Sequence, residues 1–218
     1  KPLTYGPTDH DDPQADEIRG WTFELLGSLL HSACHSLLQI EEQNKSTLSS
    51  EWPQSEQDKV KALVRLIDSI GYEVYFASGA YDRKHVERAD AFRTINPEYK
   101  RFYREASNIF NELSDLSIPS VVHHFLETLK FFIPLQPNEV FILIGRAIRS
   151  GQQSGYQDDQ LAIRLMVKLI GQYLAEYRSL LYENKKCRQV LIEILDIFVQ
   201  AGWPDARRLA YRLEEIFR

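Results

Sequence analysis

The sequence predicts an all-α fold, and three observations lead to this prediction. Apolar residues recur three and four positions apart along most of the chain, which is the spacing of one face of an α-helix. The strict alternation of apolar and polar residues that is typical of a half-buried β-strand is missing. The 218 residues include only ten glycines and nine prolines, and so few helix-breaking residues favour long helices over many short strands.

Composition and charge indicate which classes of protein are compatible with this chain. Hydrophobic residues make up 44% of the chain and charged residues 26%, which is typical of a folded globular protein. The formal net charge of -5 argues against a nucleic-acid footprint over the whole chain. The two cysteines, Cys34 and Cys187, indicate a reducing compartment without a disulfide framework. No signal-peptide core opens the chain and no run approaches the ~18 apolar residues of a membrane span, so a cytoplasmic protein without membrane contact is expected.

Residues 1–14 are polar and rich in turn-forming residues, with prolines on both sides of an acidic run from Asp9 to Asp12. This composition is typical of a linker-like arm. Because the chain also lacks an initiator methionine, we expect it to be a processed chain or a fragment of a larger protein. Residues 15–218 are expected to form a single all-α helical-repeat domain, with a subdivision left open near the charged connection at 82–96.

The first half of the chain predicts two long helices and a third after the charged connection. The first runs from about residue 15 to 43, and the second from about 55 to 80 with Ser55 as its N-cap. Gly71 and Gly79 lie late in the second helix and mark places where it could end early. The third spans 97–116, because Asn96 provides a cap and Pro97 suits the first helical position.

The second half predicts five further helices. They span about 120–132, 137–149, 158–181 and 185–200, followed by a last one that begins at Pro204. Gly151 is expected to cap the second of these at its C-terminus, and Gly202 to end the fourth. Trp203 would then lie at the corner between the last two helices, where we expect it to pack.

About eight amphipathic helices are therefore predicted, joined mostly by about two to eight residues, which makes sequential helices antiparallel neighbours. Helix pairs recur at roughly 35 to 50 residues, as in a HEAT-like helical repeat. The alternative is an irregular helical bundle. We favour stacked antiparallel pairs because no helix is apolar on all sides, as a central bundle helix would be.

His31, Cys34 and His35 are the sharpest chemical pattern in the sequence. Their i, i+3, i+4 spacing places them on one face of a helix, which makes them weak candidates for a metal site. The alternative interpretation is a packed thiol flanked by two histidines. The sequence contains no glycine-rich phosphate loop and no catalytic set, so neither a cofactor nor an activity is predicted. A metal-binding or enzymatic helical domain remains the alternative.

Aromatic residues mark the candidate partner-binding regions, since 11 tyrosines, 11 phenylalanines and 3 tryptophans suit both cores and interfaces. Two groups flank the charged connection, and we expect a protein partner to bind there first: Tyr72, Tyr75, Phe76 and Tyr81 before it, and Tyr99, Phe102 and Tyr103 after it.

A third candidate region is the C-terminus, where Trp203 lies beside Arg207 and Arg208. A nucleic-acid-binding module is the alternative that these arginines allow. Acidic residues nearly cancel the basic ones from Glu183 onward, so a solvated helix face is the default interpretation. The sequence does not predict an oligomeric state.

The stretch from Gly155-Tyr156-Gln157 to Tyr177-Arg178, and the ending from Ala201-Gly202-Trp203-Pro204 to Phe217-Arg218, resemble the C-terminal helical regions of large bacterial ATPases, including ones linked to antiphage defence. The resemblance covers about the last hundred residues and consists of helix and turn residues. It implies a C-terminal module for sensing or protein binding whose catalytic parts lie upstream. The function predicted from sequence is thus a non-catalytic helical module for protein–protein interaction or sensing.

Overall fold

The computed structural model describes residues 13–45, 48–81, 90–116, 118–154 and 160–202. These residues form ten α-helices and one short 3-10 helix at Ser49–Glu51, and they contain no β-strand. The all-α prediction is confirmed. The helices are α1 Pro13–Gln43, α2 Gln54–Ser78, α3 Asp90–Ile95, α4 Pro97–Glu105, α5 Ser107–Ser114, α6 Pro119–Phe132, α7 Pro137–Ser154, α8 Gln160–Glu176, α9 Arg178–Glu183 and α10 Lys185–Ala201.

The helices pack in two rows. In the first row α1 packs against α5, α5 against α7, and α7 against α10. In the second row α2 packs against α6, and α6 against α8. Contacts of α1 with α2 and of α6 with α5 and α7 join the rows. This order is compatible with stacked helix pairs, and the HEAT-like repeat stays a prediction.

One cluster of buried residues extends from Phe23 on α1 to Phe198 on α10. Its aromatic centre joins α1, α4 and α6: the ring of Phe102 stacks on Phe132 at a centroid distance of 5.7 Å and meets the edge of Phe23 at 5.3 Å. Such ring pairs stabilise a fold by ~0.5–1.5 kcal/mol beyond the apolar area they bury. This centre anchors α6 in the core, and α2 packs against α6 and α1.

Local capping chemistry sets several helix ends as predicted. Asn96 caps α4, because its side chain accepts a hydrogen bond from the backbone N–H of Glu98 at 3.0 Å, and Pro97 follows at the first position. Gly202 ends α10 with a φ of 68°, and Gly79 ends α2 with a φ of 83°. Both are left-handed conformations that glycine adopts without a Cβ clash.

Two predicted caps are wrong. The N-cap of α2 is Pro53 and the helix begins at Gln54, so Ser55 lies inside it. Gly151 does not cap α7, which continues to Ser154. Gly151 is buried, and packing at a buried helical position outweighs the ~1 kcal/mol by which glycine disfavours a helix.

Two predicted helices are each divided in two. The helix predicted at 97–116 breaks at Ala106, and the one predicted at 158–181 breaks at Tyr177, where φ is -121° and ψ is 30°. Backbone hydrogen bonds bridge both breaks, from Phe110 N–H to the Ala106 carbonyl at 2.9 Å and from Leu181 N–H to the Tyr177 carbonyl at 3.3 Å. The breaks are therefore kinks in a continuing helical path.

Several predictions fall outside the described residues. They include most of the linker-like arm, of which Pro13 and Gln14 already belong to α1, and the helix predicted from Pro204 with its corner at Trp203. The charged connection at 82–96 is described from residue 90, where α3 begins. Within the described ranges, no helix has the length and apolar character needed to cross a membrane.

Candidate functional site

Four aromatic side chains form a partly exposed cluster at the C-terminal end of α2, which we call the aromatic patch: Tyr72, Tyr75, Phe76 and Tyr81. Tyr72, Phe76 and Tyr81 are 38%, 49% and 52% exposed. Tyr72 and Phe76 are four residues apart on one face of α2, while residues such as Val74 on the opposite face are buried. The fold thus separates a core face from an aromatic outer face.

The turn at Gly79 completes the aromatic patch. Its left-handed backbone ends α2 and leads the chain back, so that the Tyr81 ring lies 5.0 Å from Phe76 and 6.5 Å from Tyr75. Tyr75 in turn meets Phe76 edge-on at 5.4 Å. Tyr72 and Phe76 stack at a centroid distance of 6.1 Å, and the other ring pairs are tilted or edge-on. Aromatic quadrupoles favour offset-stacked and edge-on arrangements.

The ring of His124 on α6 packs against two rings of the aromatic patch. It lies 4.2 Å from Tyr72 and 5.1 Å from Tyr75. Burial, followed by the neighbouring His123, lowers the pKa of His124. Burial also raises the pKa of Tyr75, and Glu127 adds to that effect. Both shifts favour uncharged rings, so the aromatic patch is an apolar surface that carries phenol hydroxyls.

Tyr99 and Tyr103 do not belong to this surface. They are 4% and 5% exposed, because α4 turns both rings into the core. The Tyr99 ring packs against Phe131 at 5.5 Å, and the Tyr103 ring packs against Phe110 and Phe132 at 5.5 Å each. Burial and the adjacent Glu139 raise the pKa of the Tyr103 hydroxyl. Of the five tyrosines predicted to contact a partner, the structure therefore brings together Tyr72, Tyr75 and Tyr81.

His31, Cys34 and His35 do not converge on a common point. Nδ1 of His31 donates to Oε1 of Glu112 at 2.8 Å, and the side-chain amide of Gln39 donates to Nε2 of His35 at 2.9 Å. Cys34 is buried, and burial together with Glu112 raises its pKa to about 12. Among the described residues, no group of three or more His, Cys, Asp or Glu side chains is placed to hold a metal ion.

Trp203, Arg207 and Arg208 lie outside the described residues, so binding at the C-terminus stays a prediction.

Sequence reasoning missed one residue of the surface. His124 lies on a different helix, α6, and was not predicted as a site residue. Leu25 and Leu29 of α1 are 60% and 41% exposed. They belong to a second apolar stripe on α1, and their helical spacing of three, four and four residues is visible in the sequence. The stripe consists of Ile18, Trp21, Leu25 and Leu29.

Comparisons of this chain with protein families, with curated proteins and with solved structures find no match.

Proposed function

We propose that this chain is a non-catalytic helical module that binds a protein partner through the aromatic patch. The observation that carries the proposal is the cluster of adjacent, partly exposed rings on a helix that is anchored in the core. Single exposed apolar residues are ordinary on protein surfaces, whereas a contiguous apolar patch is typical of an interaction site.

The chemistry of the aromatic patch supports protein binding. Tyrosine and other aromatic residues are enriched at interfaces, where they bury a large area at a low cost in side-chain entropy. Tyr72, Tyr75 and Tyr81 each add a hydroxyl that can exchange hydrogen bonds with a partner backbone. His124 holds two of these rings from below, so their positions are largely set before a partner arrives.

Site-specific cross-linking tests the proposal. We replace Tyr81 with photo-reactive benzoylphenylalanine and, as a control, place the same residue at Lys61, an exposed position near the other end of α2. In host lysate, one reproducible cross-linked protein is expected from position 81 and not from position 61.

The same experiment includes a variant with Tyr72→Ser and Phe76→Ser. Both residues are at least 38% exposed, so the helical circular dichroism spectrum should not change. Cross-linking from position 81 should fall by at least about tenfold, because aromatic anchors at interfaces contribute about 2 kcal/mol or more each. Equal cross-linking from positions 81 and 61, or full retention in the double variant, would refute the proposal.

The resemblance of the last hundred residues to bacterial antiphage ATPases supports a wider proposal, that the module senses or binds a partner on behalf of a larger bacterial defence protein. The full-length reading frame tests it. We expect an ATPase domain encoded upstream in the same frame, and a frame without one contradicts the wider proposal while leaving partner binding untouched.

A further inference from the structure

A groove separates the C-terminal half of α1 from the N-terminal half of α2 and ends at the corner between α5 and α6. Its volume is about 490 Å³, within the range of small-molecule sites. The thiol of Cys34 lies on its floor, and Leu38, 60% exposed, stands at its rim. The walls are apolar: Leu37, Val60, Val64, Leu116, Ile118 and Pro119.

The charged groups of this groove are all acidic. Glu41, Glu112 and Asp115 line it, and the described lining includes no lysine, arginine or histidine. We therefore call it the acidic groove. It begins at Val60 and Val64, about 12 Å along α2 from Tyr72, so it is distinct from the aromatic patch.

Two of the three carboxylates already have partners. Arg146 binds both carboxylate oxygens of Asp115, with its Nε atom 2.8 Å from Oδ1. Glu112 accepts the hydrogen bond from His31. Glu41 is exposed to solvent and makes neither a hydrogen bond nor an ion pair within the described part of the chain, and partial burial raises its pKa.

This arrangement discriminates between ligand charges. An anion in the groove would be repelled most by Glu41, because Arg146 already balances the charge of Asp115. A neutral apolar ligand would contact the apolar walls but would cover part of the exposed Glu41 carboxylate without giving it a hydrogen bond, which costs free energy for an ionised group. A ligand with a cationic end would fill the walls and also give Glu41 a partner.

We propose that the acidic groove binds a small hydrophobic amine, whose apolar body lies between α1 and α2 and whose ammonium group pairs with Glu41. This site goes beyond the proposed partner binding and does not depend on it, since no residue of the aromatic patch lines the groove.

Three probes of one shape test the charge preference: 4-phenylbutylamine, 4-phenylbutanol and 4-phenylbutyrate, titrated into the protein and followed by amide NMR spectra. The amine is expected to bind about fivefold more tightly than the alcohol, because an ion pair with a solvent-exposed carboxylate contributes up to about 1 kcal/mol. The acid should not bind. Shifts should be confined to the helices around the acidic groove.

Matched variants test separately the carboxylate that would pair with the ammonium group and the apolar wall that would contact the ligand body. Glu41→Gln should lower the affinity for the amine to that for the alcohol and leave the alcohol unaffected. Glu42→Gln is the control, because this neighbouring carboxylate is exposed and pairs with Lys45. Leu38→Ser, also at an exposed position, should weaken both the amine and the alcohol. Equal binding of all three probes, no binding of the amine, or an unchanged amine affinity in Glu41→Gln would each overturn the proposal.

Discussion

Cys34 lies on the floor of the acidic groove with 4% of its surface exposed. A pKa of about 12 leaves roughly one thiol in ten thousand ionised at pH 8, and only the thiolate is alkylated efficiently. In a Cys187→Ala variant, we therefore expect iodoacetamide to label Cys34 at least about a hundredfold more slowly in the folded chain than in denaturant. Mass spectrometry of timed samples measures this ratio, and equal rates would contradict the burial of the thiol.

The lowered pKa of His124 predicts that the free energy of unfolding depends on pH. This pKa is lowered in the folded chain, so the unfolded chain binds more protons as the pH falls through the ordinary histidine value of about 6.5. This contribution to the free energy of unfolding is present above that pH and is lost below it.

Thermal unfolding at pH 7.5 and pH 5.5 measures the effect. The difference between the two melting temperatures should be smaller in His124→Gln than in the wild-type chain. His35→Gln is the control, because His35 is exposed and contacts Gln39. The assignment to His124 fails if the two variants show the same pH dependence.

At the scale of single residues, the aromatic side chains show what the sequence alone could not predict. The tyrosines on both sides of the charged connection were equally good candidates, because each group lies at the end of an apolar helix. The rotation of α4 about its axis decides that Tyr99 and Tyr103 are buried, and that rotation is set by Phe131 and Phe132, about thirty residues further along the chain. Only the three-dimensional packing distinguishes the two groups.

At the scale of elements, α7 and α10 meet closely at Gly145. A Cβ atom built there would lie only 2.2 Å from Cγ1 of Val190. Gly145→Ala should therefore lower the free energy of unfolding by about 1–2 kcal/mol, because overpacking outweighs the gain in helix propensity. Adding Val190→Ala should recover part of this loss, as measured by urea denaturation.

Gly20 on α1 provides the matched control for this substitution. It is also helical, but a Cβ atom there would have no neighbour within 4 Å. Gly20→Ala should stabilise the chain by about 0.5–1 kcal/mol. If both alanine variants shifted stability in the same direction, the close approach of α7 and α10 would be refuted.

Helix ends were predictable where local chemistry determines them. The sequence Asn96-Pro97 and the glycine at 202 carry their capping function in their own side chains and backbone freedom. The kinks at Ala106 and Tyr177 were not predictable, because the apolar spacing continues across both. The same is true of the acidic groove, which gathers residues from α1, α2, α5 and α6.

At the scale of the whole molecule, the two rows of helices leave α1 at one end of the first row and α10 at the other. The stripe on α1 agrees with an end position, because its four apolar side chains are between 41% and 60% exposed: Ile18, Trp21, Leu25 and Leu29. In a stack of repeats each unit is stabilised only by itself and its neighbours. An irregular bundle with one shared core would instead unfold as a unit.

Hydrogen exchange distinguishes these two architectures. Leu30 on α1, Leu129 on α6 and Phe198 on α10 are all fully buried, and truncation of each to alanine should cost about 2–5 kcal/mol. In a stack, Leu30→Ala should speed amide exchange in α1 and α2 and leave α10 protected, whereas Phe198→Ala should do the reverse. Leu129→Ala, in the middle of the second row, should affect both ends. If Leu30→Ala and Phe198→Ala speeded exchange equally throughout the described helices, the chain would be a single cooperative bundle and the HEAT-like prediction would be wrong.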